Sequence, residues 1–193
     1  MPYITPGQLC SYLGIDNPSA ADTVQLGGFI TAAQSIIDRQ TGRTFEAAEA
    51  TVRYLDARRD VDGYILWLGA DCCQITEVLN GNDVEVTTGQ YVTEPRNLTP
   101  FYAIRLRSDA GLTWTYTGAY ENAIAVEGHW GYSLSAPADI QQATVRLAAY
   151  LYRQKDTGQE LDRPLMVGDG NVILPAVLPN DVLTLIRPYR KFI

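Results

Sequence analysis

The 193-residue chain has little of what most catalytic and metal sites need. It holds one histidine, His129, and three cysteines, Cys10, Cys72 and Cys73. Adjacent cysteines rarely bridge each other and an odd count leaves one over, so no disulfide framework is expected and a reducing compartment is the natural setting. The lone histidine has no CxxC beside it, which argues against structural zinc. No apolar run approaches the roughly 20 residues that cross a bilayer. The opening MPYITPGQL lacks a basic segment followed by an apolar one, so no secretory signal is expected, and a soluble chain made in the cytoplasm is. Basic charge is scarce too. Fifteen Lys and Arg stand against 22 Asp and Glu, for a net charge of -7. A dedicated nucleic-acid binder normally shows the opposite excess. A negative wall does suit a passage through which nucleic acid must slide without sticking.

The candidate chemical sites are thin. His129 has no GxSxG serine and no orienting partner in sequence, so it reads as a structural or interface histidine. Asp56, Asp60, Asp62 and Asp71 could suggest a metal-dependent nuclease, but Arg58 and Arg59 sit among them and DARRDVDG reads more simply as a loop between strands. VGDGN (167–171) is a glycine-rich turn without the lysine or following helix of a phosphate loop. No enzyme, cofactor or metal is expected.

What the chain does contain is packing surface, with 46% hydrophobic residues, twelve tyrosines and three tryptophans. The stretch GHWGYSLSAPADIQQATVRLAAYLYRQKD (128–156) organises it. Pro137 and Asp139 open a helix in which Ile140, Ala143, Thr144, Leu147 and Leu151 recur on one face. Upstream, Thr5-Pro6-Gly7-Gln8 has the form of a capping box, with Gly14 closing a short helix. Leu26, Phe29, Ile30, Ala33, Ile36 and Ile37 then mark a longer one ended by Gly42. Gly27 and Gly28 inside it imply either close contact with a neighbour or a later start.

From 51 to 130 the periodicity becomes that of strands. TVRYLDA (51–57), YILWL (64–68) and QITEVLNGNDVEV (74–86) lead, the last read as a hairpin turning at Asn80-Gly81. Tyr91-Val92, 101–106, 112–116 and 123–130 follow. The fold expected is α+β: a helical core of two N-terminal helices (6–13 and 20–41) plus a long central helix (138–154), with an antiparallel β insertion (51–130) and an extended C-terminal arm. Residues 1–160 would form the core and 161–193 the arm, after a linker-like segment at 156–170. An apolar arm of this kind either folds back on its own core or docks onto another subunit.

Three stretches in this order, AAQSIIDRQTGRTFE (32–46), QYVTEPRNLTPFYAIRL (90–106) and VEGHWGYSLSAPADIQQATVRLAAYLY (126–152), resemble the tailed-phage head–tail connector family, also called adaptor or head-completion proteins. The likeness covers most of residues 5–155. It implies a structural virion protein at the head–tail junction, synthesised in the host cytoplasm, forming a homo-oligomeric ring that is typically dodecameric. Its implied partners are the portal protein and the next neck or tail-completion protein, with DNA only as passing cargo and no membrane. It also implies that the arm engages the portal. Carried onto this chain, the docking set is Leu178, Val182, Leu185, Ile186, Arg187, Tyr189, Arg190, Lys191 and Phe192, a basic end interleaved with apolar groups. The competing reading is a β-rich ligand- or carbohydrate-binding module using Trp67, Trp114 or Trp130.

Overall fold

The computed structural model describes residues 2–154, 165–167, 171–173 and 178–191. Its residues group into two compact units, a sheet unit of Thr44–Ser135 and a helical unit of Pro2–Arg43 with the chain from Ala136 onward.

In the helical unit, α1 spans Pro6–Leu13, α2 Ala20–Thr41, α3 Ala138–Gln154 and α4 Asn180–Ile186, followed by a 3-10 turn at Arg187–Tyr189. Local chemistry sets the ends. Thr5 and Gln8 exchange side-chain and backbone hydrogen bonds ahead of α1, and Ser19 and Asp22 do the same ahead of α2. Each pair satisfies two amides that a helix start otherwise leaves unpaired. Gly14 and Gly42 stop these helices in the left-handed conformation, with φ of 71° and 68°. Leu26, Ile30, Ala33 and Ile37 of α2 and Ile140, Ala143, Leu147 and Ala148 of α3 are buried, and the two helices pack on each other. Each fully buried Leu or Ile contributes roughly 1.5–3 kcal/mol. Gly27 and Gly28 lie well inside α2, and a Cβ on either would meet nothing within 4 Å. Among the described residues they mark no close approach, and the helix starts ahead of them at Ala20.

In the sheet unit, β1 spans Thr51–Leu55, β2 Val61–Asp62, β3 Ile65–Leu79, β4 Tyr91–Glu94, β5 Phe101–Leu106 and β6 Ile124–Trp130. They form one antiparallel sheet in the order β1-β6-β3-β5-β4, with β2 on β3. Its own core gathers Leu66, Leu68, Val78, Ile104, Leu106, Ile124 and Val126. Among the remaining described residues, β7 (Leu165–Val167) pairs with β8 (Asn171–Ile173).

The expected fold class needs correction. The four described α-helices have 8, 22, 17 and 7 residues, so no long central helix dominates. The six-stranded sheet is a substantial element with a core of its own, to which Val86, Leu112 and Trp114 outside the strands also contribute. Nor is the described end of the chain an extended arm. Leu178, Val182 and Ile186 are buried as α4 packs on α3.

Details of the strands differ too. The runs at 64–68 and from 74 join into the single 15-residue β3, which bends at Gly69 (φ 66°) and pairs first with β5 and then with β6. Residues 112–116 form no strand. They contribute one bridge, Tyr116 to Gly81.

Candidate assembly surfaces

The first and third sequence landmarks come together at the mouth of the sheet unit. The Tyr132 amide donates to Thr44 O at 2.8 Å and the Ala47 amide to Ser133 O at 2.9 Å. The fully buried Phe45 ring lies 5.5 Å from that of Tyr132. Gly131 lets the strands close, because a Cβ there would meet the Ala47 backbone at 3.0 Å. The end of the first stretch and the middle of the third, with Ala47, thus bring the two ends of the sheet unit side by side.

The C-terminal docking candidates divide by exposure. Leu178, Val182 and Ile186 are buried. Leu185 and Tyr189 are half-buried, while Arg187, Arg190 and Lys191 are exposed. Phe192 lies outside the described residues, as do Leu174 and Val177 of the expected arm. Specific bonds fix this end of the chain. Arg43 Nε donates to Tyr189 O at 2.8 Å, Arg190 Nε to Gln40 O at 3.2 Å and the Lys191 amide to Thr41 O at 2.8 Å. A guanidinium at the last turn of α2 also complements the negative end of that helix. Arg146 donates to Asp181 at 2.8 Å, and this hydrogen bond holds the Asp181 carboxyl below the usual carboxylate range.

Several of the chemical candidates make structural contacts, and residues 168–170 of the glycine-rich turn lie outside the described residues. Asp56 accepts from the Arg58 and Arg59 amides, and Asp60 accepts from the Asp56 amide, so both side chains organise a turn. Arg58 lies 4.6 Å over Tyr120 and donates to the Tyr116 hydroxyl at 2.6 Å. His129 Nδ1 is 2.9 Å from Ala48 O. Trp130 donates to Thr51 O and Trp114 to Tyr64 O. Trp67 is exposed and stacks on Tyr102 at 5.8 Å. Cys72 is wholly enclosed, and burial pushes its thiol up to about 11, leaving it a poor nucleophile near neutrality.

Sequence reasoning missed the two ends of the sheet. Beside the edge strand β4, a cleft of about 460 Å³ is lined by Arg96, Arg105, Arg107 and Tyr64. Beside the edge strand β1, a second cleft of about 330 Å³ is lined by Val52, Tyr54, Leu79, Glu77 and Glu127. The arginines at 96, 105 and 107 line one cleft once β4 pairs with β5, which sets Arg105 beside Val92 with Arg96 and Arg107 just beyond the strand ends.

A model of the head completion protein family matches residues 3–192. Among solved structures, a chain in the neck of an empty gene transfer agent particle, computed with C6 symmetry, shares the fold at a TM-score of 0.60. The two are 21% identical, over 98% of this chain and 90% of that one. A chain in the virion of a native gene transfer agent particle is similar at a TM-score of 0.57 and 19% identity, with the same coverage. At these identities the likeness is one of fold. Comparison with curated proteins finds no match.

Proposed function

This chain belongs to the head completion protein family, and on that premise we propose that it is a structural subunit of the neck of a tailed phage or phage-derived particle. In this reading its copies close a ring, expected to be dodecameric, beneath the portal. The ring extends the DNA channel and offers a surface to the next neck or tail-completion protein. The observation that carries the reading is the family match, which spans nearly the whole of both units rather than a local motif. A net charge of -7 is compatible with DNA as passing cargo, since a negative lining disfavours adhesion to phosphate. No reaction is assigned to the protein.

Portal docking falls to the outer side of the C-terminal segment. Leu178, Val182 and Ile186 anchor α4 to α3, which leaves Leu185, Arg187, Tyr189, Arg190 and Lys191 as the surface available to an acidic partner. Co-sedimentation with purified portal rings tests this. The R187E/K191E variant should bind at least about 10-fold more weakly, because reversing rim charges sets like against like. Its thermal melt should still show a cooperative transition, so that lost binding is separated from lost folding. Equal binding by the variant would remove the docking surface, and no binding by the unaltered chain would remove the portal as partner.

A further inference from the structure

The hydrogen-bonded path of the sheet ends in two edge strands, β1 and β4, and the surfaces beside them carry opposite charge. At the β1 end, Glu127 is the register partner of both Val52 and Glu77, and Ala125 is the partner of both Tyr54 and Leu79. Alternation puts these six on the face opposite the buried Val78 and Val126. Val52 and Tyr54 stay 45% and 63% exposed there. Two glutamates in direct cross-strand register repel each other, and no salt bridge reaches either among the described residues. An unpaired edge strand with exposed apolar groups is also a template for association.

At the β4 end the balance reverses. Glu94 is shared by Arg105, at 3.1 Å, and Arg96, at 3.9 Å. Asp109 holds Arg107 through both oxygens, at 3.0 and 2.8 Å. Three guanidiniums thus face two carboxylates and one positive charge remains uncompensated in a chain of net charge -7.

We infer that the arginine-lined cleft beside β4 receives Glu77 and Glu127, on the β6–β3 face of a second copy of this chain, joining subunits head to tail through two different surfaces of the sheet. Charge complementarity selects the occupant. A cleft with excess guanidinium on one subunit fits the unneutralised carboxylate pair of the next, while Val52 and Tyr54 supply apolar area. Because the two surfaces differ, the contact is heterologous and can close by rotation into a ring. The inference rests on the ring reading and names its contact.

Charge exchange tests it with the full-length chain. R96E/R107E leaves a subunit with two acidic ends, and E77R/E127R leaves one with two basic ends. Each alone should associate about 100-fold more weakly than the unaltered chain, as expected when like charges face each other. A 1:1 mixture should recover assembly, since alternating subunits restore every contact. Sedimentation velocity reads the result, and thermal melts check that each variant folds. E77Q/E127Q should melt no lower than the unaltered chain yet assemble less well. Rings from either variant alone, or a mixture of folded variants that stays monomeric, would overturn the contact while leaving the ring standing. An unaltered chain that never assembles, with or without portal, would overturn both. Specific binding of inorganic phosphate at Arg96 and Arg107 without loss of assembly in R96E/R107E would assign the cleft to an anion instead.

Discussion

Asn80 shows how much structure one side chain can hold in place. Only 3% exposed, it donates to Thr113 O at 2.9 Å and accepts from the Gly81 and Thr115 amides at 2.9 and 3.0 Å. Asn80→Ala should lower stability by roughly 2–3 kcal/mol in urea denaturation, since it strands buried polar groups without partners. A change below about 0.5 kcal/mol would mean that water replaces those bonds. In sequence, an Asn80-Gly81 pair favours positive φ at a hairpin turn. Positive φ falls instead on Asp83, at 60°, and Gly81 is small because the Thr115 and Tyr116 backbone presses against it. That pressure comes from residues more than thirty positions away, which no local pattern displays.

At the scale of elements, legibility follows the range of the forces. Helix ends are written locally, in Thr5 with Gln8 and in the glycines at 14 and 42, and local chemistry decides them. The capping pair Ser19 and Asp22 is equally local. The continuity of β3 across Gly69, the register that gathers the three arginines, and the folding of α4 onto α3 all depend on distant partners. Periodicity alone therefore shows the sheet as a string of fragments and leaves open whether the end of the chain folds back or docks elsewhere.

For α4, packing outweighs charge. Ile186 is 1% exposed, so Ile186→Ala should cost about 2–4 kcal/mol through the cavity it leaves. The exposed Arg146–Asp181 pair should contribute less than about 1 kcal/mol. Because Asp181 titrates below its unfolded value, its contribution is full above about pH 4 and is lost as pH falls through the lowered folded pKa. Melting curves of D181N and the unaltered chain should therefore differ at pH 7 and converge in acid. Divergence on acidification would contradict the assignment.

At the scale of the molecule, charge is divided among distinct surfaces of the described residues. The lone histidine engages a backbone oxygen, and Asp56 and Asp60 organise their own turn. Two clefts of opposite charge flank one sheet, and a basic C-terminal surface is strapped to the helical unit. A protein that works by assembly needs several distinct faces, each matched to a different neighbour. An acidic composition reserves basic surface for the few places where contact is wanted. This division of charge could not be assigned from sequence, because the residues on each face are scattered between positions 52 and 127.

The most direct test of the neck-ring account is native mass spectrometry of the purified chain, alone and after addition of portal rings. The account predicts a discrete closed multiple of the 21.3 kDa subunit, expected at twelve copies, bound to portal. A monomer at every concentration, with portal present and unoccupied, would contradict it.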